Sequence, residues 1–221
     1  MAAKKAYSLF LNNKYSSKDN RFYLSRIKHS ITVAVDGGIR FFLKNKIYPN
    51  ILIGDFDSAP RLSKKYLSNM EVLSFPSQKD KTDSHLALEL ALRRGAGQIE
   101  IFGAVSETEI DHTLENIFLL ELVNKFNQLN SAKVHASIIS ARTEIRLLEN
   151  ASALFRGQKG DYVSAIPLSN TVRAKYIGLL YPPPKSGLRF GDSLSLRNQL
   201  LGKTCKIKIT GKALIVINRT S

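Results

Sequence analysis

Short apolar runs alternate with segments of helical periodicity over the first two thirds of the chain. The run Ile31–Val35 is mostly β-branched and apolar, as a strand that is buried on both faces should be. This alternation predicts a Rossmann-like, doubly wound parallel sheet. The other strands are predicted at 6–11, 51–53, 72–75 and 99–102, and the helices at 19–28, 39–45, 83–93 and 111–126.

The pattern changes after about residue 130, where short strands separated by turn residues replace the helices. Such a series is typical of a small antiparallel β-sandwich. We place the domain boundary near residue 145, which gives an α/β domain over 1–145 and a β-sandwich domain over 146–221. The strands of this second part are predicted at 134–139, 144–148, 162–166, 172–177, 193–196, 205–209 and 214–217.

The formal charge of +15 favours anionic partners, which include nucleic acid, phospholipid surfaces and phosphorylated small molecules. The basic residues are scattered, and no nucleic-acid-binding module has its signature here, so the charge leaves the partner open. No run approaches the roughly 20 apolar residues of a membrane helix, and the N-terminus lacks a long apolar segment. We therefore expect a cytoplasmic protein. A single cysteine, Cys205, excludes an internal disulfide and a cysteine-rich zinc site.

Four acidic motifs lie where predicted strands end or predicted helices begin. Ligands of open parallel sheets bind beyond the carboxyl ends of the strands, so we expect all four motifs at one edge. Carboxylates gathered there repel one another unless a cation lies among them, and Mg²⁺ is the natural choice. The motifs are Asp36-Gly37-Gly38, Gly54-Asp55-Phe56-Asp57-Ser58, Asp80-Lys81-Thr82-Asp83 and Asp111-His112.

Asp55 and Asp57 form the strongest of these motifs, because an apolar strand leads directly into them. In an extended segment residues two apart point the same way, so both carboxylates could face one metal ion. Gly54 would let the backbone turn sharply or let a ligand approach.

The remaining motifs are weaker when each is taken alone. An aspartate before a helix is more often a cap or a loop residue, and Asp-Gly-Gly is more often a turn than a phosphate cradle. Gly37 and Gly38 could still offer backbone N–H groups to a phosphate, and Thr82 could cap the following helix. Lys79 and Lys81 could balance phosphate charge. Because all four motifs occur at one predicted edge, we expect magnesium-dependent phosphoryl transfer from a nucleotide.

In these motifs and their order, the chain resembles the thiamine pyrophosphokinase family. The resemblance extends into the second domain and implies an α/β catalytic domain, a thiamine-binding β-sandwich and a homodimer. It also implies transfer of diphosphate from ATP to thiamine, giving AMP and thiamine diphosphate, with Mg²⁺ as cofactor. The further matching segments are Asp111-His112-Thr113-Leu114-Glu115-Asn116, Gly160-Asp161-Tyr162-Val163-Ser164 and Gly178-Leu179-Leu180-Tyr181-Pro182.

The resemblance also implies roles for individual residues. Asp55, Asp57 and Asp83 should hold the metal and the polyphosphate, and Asp111 should lie near the substrate hydroxyl as ligand or base. The nucleotide side would be formed by Asp36, Gly37, Gly38, Lys79, Thr82 and His112. The thiamine side would be formed by Ser195, Arg197 and Asn198.

The chain departs from the family pattern in two places. The stretch 105–110 lacks the Gly-Gly-Arg that the family usually has there, and Arg197 stands where serine is usual. An arginine beside a cationic thiamine ring would repel it. Two alternatives therefore stay open: a pyrophosphokinase acting on another heterocyclic alcohol, such as a pterin or pyrimidine, and a nucleic-acid-binding protein on an inactive kinase scaffold. We rank the second last, since such a scaffold has little reason to keep its metal aspartates.

Overall fold

The chain divides into two compact units, an α/β unit of residues 1–140 and a sandwich unit of residues 141–221. A computed structural model describes residues 5–220. The division falls before the predicted boundary near 145, because the strand Thr143–Glu149 pairs with Lys212–Asn218 of the sandwich unit. Within residues 5–220, no helix has both the length and the apolar character needed to cross a bilayer.

The α/β unit is built on six parallel strands in the order β6-β5-β1-β2-β3-β4. The predicted parallel sheet is therefore confirmed. The strands are β1 (Lys5–Phe10), β2 (Ile31–Val35), β3 (Ile51–Gly54), β4 (Glu71–Ser74), β5 (Ala96–Phe102) and β6 (His135–Ile139). The helices are α1 (Asn20–Arg26), α2 (Ile39–Lys44), α3 (Lys64–Leu67), α4 (Asp83–Arg93) and α5 (Ile110–Asn130).

The strand order reverses between β1 and β5. The chain passes from β1 through β2 and β3 to β4 on one side, and then returns to place β5 on the other side of β1. Loops leaving two adjacent strands in opposite directions open a crevice at their carboxyl ends, which is where open α/β sheets bind ligands.

Helices cover both faces of this sheet. The register places Phe10, Ala34 and Phe102 on one face, where they cluster with Tyr23 of α1 and Phe41 of α2. Helix α4 contacts β1, β2, β3 and β5, and among the described residues none of its side chains belongs to that cluster. The sheet is thus wound on both sides, as the strand–helix alternation predicts.

Local signals fix the start of α4 at the predicted residue. Thr82 is the N-cap, and its hydroxyl accepts a hydrogen bond from the backbone N–H of His85 at 3.2 Å. Asp83 follows in the first turn, where a negative charge is favoured by the helix dipole. The short helix α3, by contrast, was not predicted from the sequence.

The sandwich unit consists of two antiparallel sheets, β11-β9-β13-β7 and β10-β12-β8. Buried residues from both sheets form one core, which includes Val163 and Ile215 of the first and Phe155 and Ile207 of the second. The predicted β-sandwich is confirmed. The strands are β7 (Thr143–Glu149), β8 (Ser152–Arg156), β9 (Tyr162–Pro167), β10 (Arg173–Ile177), β11 (Asn198–Gln199), β12 (Thr204–Thr210) and β13 (Lys212–Asn218).

One strand prediction in this unit is wrong. Residues 193–196 form a turn, in which the N–H of Leu196 donates to the carbonyl of Ser193 at 3.1 Å. The alternating Ser-Leu-Ser-Leu misleads, because Leu194 and Leu196 are exposed while Ser195 is buried. Strands β8 and β11 were not predicted, and in β8 Leu154 faces solvent.

Candidate active site

A crevice of about 500 Å³ opens beyond the carboxyl ends of the parallel strands. Residues that follow β1, β2, β3 and β5 line it, together with the first turns of α4 and α5. The first three acidic motifs therefore meet at one edge, as expected. The charged residues that line the crevice are Asp36, Asp55, Asp57, Lys79, Asp80, Lys81, Asp83 and Glu109.

The ends of β2 and β3 approach each other closely at this edge. Gly54 has φ +151°, and a Cβ atom there would lie 3.1 Å from the Cβ of Asp36. Asp36 and Phe56 are themselves left-handed, with φ +46° and +66°. Non-glycine residues hold such conformations at a cost of order 1–3 kcal/mol, and they concentrate at functional sites.

Asp55 and Asp57 converge because the chain turns at Phe56, and the expected extended segment is wrong. The segment is not extended; instead, Asp55 Oδ1 accepts a hydrogen bond from the backbone N–H of Asp57 at 3.1 Å. Asp36, Asp55 and Asp57 each offer a carboxylate oxygen, and these three oxygens lie within 4.8 Å of one another. We call these three residues the carboxylate triad.

The electrostatics of the triad suit a divalent cation. Asp36 is 8% exposed, and its Oδ1 atom is buried without a hydrogen-bond partner among residues 5–220. Loss of solvent raises the pKa of Asp36 although the backbone N–H of Gly37 opposes this. The pKa of Asp55 is lowered, first by the N–H of Asp57 and then by Lys79. Carboxylate oxygens are among the ligands that Mg²⁺ takes in proteins, and the triad offers three of them.

Lys79 lies between Asp55 and Asp83. Its Nζ atom is 3.3 Å from Asp55 Oδ2 and 3.2 Å from Asp83 Oδ1, and it also donates to the carbonyl of Pro76 at 3.0 Å. Burial raises the pKa of Asp83, and Lys79 partly offsets that rise. Burial alone would lower the pKa of Lys79, but its bonds to Asp83 and Asp55 outweigh burial and raise it.

The resemblance implies a metal site of Asp55, Asp57 and Asp83, whereas the carboxylate triad contains Asp36 and not Asp83. Asp83 faces the same crevice but is connected to Asp55 through the ammonium of Lys79. Its role as a metal ligand remains a prediction.

The structure places the other predicted nucleotide and catalytic residues as follows. Asp111 is exposed and is not among the residues that line the crevice, whereas the adjacent His112 is. Asp111 Oδ1 accepts the backbone N–H of His112 at 2.9 Å. Gly37 and Gly38 are buried in the turn Asp36–Gly38, and a Cβ on Gly38 would overlap the carbonyl oxygen of Phe10.

The residues predicted to bind thiamine lie together in the sandwich unit. Asn198 is buried, and its side chain bonds the backbone N–H and carbonyl of Tyr181 at 3.0 and 2.8 Å. The hydroxyl of Ser195 bonds that of Tyr176 at 2.7 Å. Arg197 is left-handed, and its guanidinium lies 4.0 Å from the centre of the Tyr162 ring.

Sequence reasoning missed two asparagines that line the crevice. Asn116 is 8% exposed; its Nδ2 atom donates to the carbonyl of Ala104 at 3.2 Å, while its buried Oδ1 atom has no partner among residues 5–220. Asn12 lies two residues beyond the end of β1. The rule that ligand-binding residues follow parallel strands could have identified Asn12. The spacing of Asn116, about one helical turn beyond His112, places both on one face of α5.

A six-stranded parallel sheet with an acidic crevice at its switch point, followed by an antiparallel sandwich, defines a two-domain protein of the doubly wound α/β class. Residues 24–131 match the family model described as thiamin pyrophosphokinase, catalytic domain. The thiamine pyrophosphokinase of Bacillus subtilis (strain 168) is 26% identical over 197 residues, which cover 87% of this chain and 89% of that protein.

Solved structures are similar over nearly the whole chain. The crystal structure of thiamine pyrophosphokinase from Bacillus subtilis has a TM-score of 0.81 at 24% identity and covers 98% of this chain and 100% of that one. The thiamin pyrophosphokinase of Candida albicans has a TM-score of 0.80 at 17% identity, with 97% and 89% covered. These two likenesses concern the fold. The sequence matches confirm the resemblance of this chain to the thiamine pyrophosphokinase family.

Proposed function

We propose that this chain transfers a diphosphoryl group from ATP to the hydroxyl of thiamine, giving thiamine diphosphate and AMP. The observation that carries the proposal is the carboxylate triad beside Lys79, within the residues that match the family's catalytic domain. The crevice lies at the switch point of the sheet, where such folds bind nucleotides.

Asp55 and Asp57, joined by Asp36, would hold Mg²⁺, since an oxygen of each converges with the others and Asp36 Oδ1 is buried and unpartnered among residues 5–220. Such an ion, when bound, neutralises charge on the polyphosphate and orients it. Asp83 would contribute once the ammonium of Lys79 turns from it to a phosphate oxygen.

The transfer itself needs positioning and charge balance more than covalent chemistry. The thiamine hydroxyl oxygen attacks the β-phosphorus, the bond from that phosphorus to the bridging oxygen of the α-phosphate breaks, and AMP leaves with the bond's electron pair. The hydroxyl proton passes to a carboxylate. We propose Asp111 for this role or for binding the hydroxyl, and Lys79 with His112 as groups facing the phosphates.

On the acceptor side, we propose that Ser195, Arg197 and Asn198 shape the thiamine pocket. Asn198 already uses its amide to hold the backbone at Tyr181, so it would act by fixing the pocket wall. The stacking of Arg197 on Tyr162 would fix where its charge lies relative to a cationic ring.

We also propose a cytoplasmic homodimer. The dimer follows from the family resemblance, and the location agrees with a lone, buried thiol. Light scattering coupled to size exclusion would give a mass near twice 24.7 kDa if the dimer forms.

Identification of the products tests the activity. The protein is incubated with ATP, Mg²⁺ and thiamine, and the nucleotides and thiamine esters are separated by chromatography. AMP and thiamine diphosphate should appear in equal amounts, and neither should appear when Mg²⁺ is omitted. Formation of ADP and thiamine monophosphate would overturn the assignment. Turnover with a pterin or pyrimidine alcohol, and none with thiamine, would favour the alternative acceptor.

A further inference from the structure

The crevice is short of positive charge that a polyphosphate could use. Six acidic side chains line it, and its two lysines are already engaged. Lys79 contacts Asp55 and Asp83, and Lys81 forms an ion pair with Glu89 at 2.6 Å. A nucleotide triphosphate entering this crevice would meet net negative charge even after one divalent ion had bound.

The loop 105–110 does not supply the missing charge. It contains two glutamates and no arginine, and Glu109 lines the crevice. The loop is held by its own hydroxyls: the N–H groups of Thr108 and Glu109 both donate to Ser106 Oγ, at 3.3 and 3.2 Å. A cation for the phosphates must therefore come from another element.

Arg40 is the candidate: it is not itself a lining residue, but it bonds to Asn12, which is. It lies in the first turn of α2, directly after the turn that carries Asp36. Its side chain is exposed, and it forms no ion pair with any residue of the described chain. One of its five donors is used: Nη1 donates to Oδ1 of Asn12, a residue that lines the crevice, at 3.2 Å.

Gly37 is required for this placement. A Cβ atom at Gly37 would lie 2.6 Å from Arg40 Nη1 and would overlap the side-chain amide of Asn12. The pair of Arg40 and Asn12 thus lies against the backbone of Gly37, and a side chain at that position would displace it.

We propose that Arg40 binds the polyphosphate of the nucleotide, with Asn12 as the residue that positions its guanidinium. The inference rests on the proposed function, because it concerns the same nucleotide. An arginine held at one nitrogen keeps a planar fork of donors that matches two phosphate oxygens, which lysine cannot reproduce. Arg40 thereby replaces the charge that the loop 105–110 lacks.

Nucleotide binding tests this without turnover. The probe is α,β-methylene ATP with Mg²⁺, in which the bond to be broken is blocked, and affinity is measured by calorimetry. Arg40→Ala should weaken binding about 10- to 100-fold, as loss of charged hydrogen bonds does. Arg40→Lys should recover only part of it, and Asn12→Ala should show a smaller loss. Arg21→Ala removes the same charge from an exposed arginine that, among residues 5–220, makes no hydrogen bond to a crevice-lining residue, and it is the matched control.

Steady-state kinetics add a second readout: Arg40→Ala should raise KM for ATP while KM for thiamine stays unchanged. Equal affinity of wild type and Arg40→Ala, or equal losses in Arg40→Ala and Arg21→Ala, overturns the role of Arg40. A selective loss in Arg40→Ala together with a wild type that makes no thiamine diphosphate keeps Arg40 and overturns the proposed function. A wild type without affinity for the probe overturns both.

Discussion

The α/β unit gathers acidic residues around a crevice, whereas the sandwich unit spreads basic residues over an exposed sheet surface. The α/β unit has nineteen basic and fourteen acidic residues, and it brings six acids around one crevice. The sandwich unit has fourteen basic and four acidic residues and spreads five bases over the outer side of one sheet. We call these five the basic face: Arg156, Arg173, Lys175, Lys206 and Lys208.

Burial decides what each arrangement does. Charges on the basic face are exposed, so water and salt screen their repulsion. In the crevice Asp36 and Asp83 have lost solvent, and their pKa values rise because the charged form is disfavoured. Repulsion between the exposed bases of the sandwich unit is therefore screened and costs little. Repulsion between the acids of the crevice is screened less, so a cation bound there would be favoured. Substitutions in each unit should reflect this difference.

The largest effect is expected from Asp57→Asn. This change removes an exposed triad carboxylate while leaving size and turn geometry nearly unchanged, so catalysis should fail without loss of folding. We expect turnover to fall by at least about 100-fold, in the range seen when one charge-stabilising group is lost. Glu107→Gln, which removes an exposed acid that does not line the crevice, is the control. Similar rates for the two variants would argue against the triad as the metal site.

The core of the sandwich unit should respond in stability and not in catalysis. Cys205 is 1% exposed, and burial raises the pKa of its thiol to about 11. Cys205→Ser places a hydroxyl in an apolar core, which should cost about 1–3 kcal/mol in urea unfolding. Cys205→Ala, which adds no polar group, should cost less, and both should keep the wild-type rate at 25 °C. A serine variant as stable as wild type would show that the core accommodates the hydroxyl.

Features set by residues close together in the sequence were predictable, and features set by contacts between distant segments were not. The bounds of α4 were predictable because a local cap at Thr82 and a periodic run of apolar residues set them. The edge at which Asp55, Asp57 and Asp83 lie was predictable because apolar strands lead to it. Membership of the triad was not, since Asp36 joins through the close approach of β2 and β3 at Gly54, which depends on contacts between distant segments.

The sandwich unit shows that alternation of residue types does not by itself predict a strand. Residues 193–196 alternate like a strand, yet hydrogen bonding to neighbouring segments decides the outcome: the carbonyl of Ser195 accepts from Ala165, and the chain turns. Strand β12 was predictable, because Lys206 and Lys208 alternate with buried Cys205 and Ile207. Alternation identifies a strand only when its apolar members are the buried ones.

Asp36→Asn should make the metal-free protein more stable while it weakens the binding of Mg²⁺. Because desolvation raises the pKa of Asp36, the folded state holds this proton more tightly than the unfolded state. The charged carboxylate therefore destabilises the metal-free fold above that pKa, and the penalty disappears as pH falls through it. Asparagine also tolerates the left-handed conformation. The metal-free variant should gain about 0.5–2 kcal/mol at pH 7, the range of typical stabilising substitutions.

The gain should vanish in acid, and Mg²⁺ should raise the melting temperature of the wild type much more than that of the variant. Thermal unfolding at several pH values, with and without Mg²⁺, measures both effects. Magnesium affinity of the wild type should also fall as pH drops through the raised pKa of Asp36, since protonation removes a ligand. A variant less stable than wild type at pH 7 without metal would contradict the assigned cost of burying this charge.

The smallest effect is expected on the basic face. Lys175 and Lys208 lie directly opposite each other on antiparallel strands, where like charges are unfavourable. Lys208→Glu creates an opposite pair and should stabilise the protein by about 0.2–1 kcal/mol in urea unfolding at low salt. Both side chains are exposed, so most of the gain should disappear in about 1 M salt, where the screening length is about 3 Å. Lys28→Glu makes the same change of net charge in the α/β unit without a cross-strand lysine, so a gain of equal size there would assign the effect to net charge alone. Turnover should stay unchanged in both variants, because neither lysine lines the crevice.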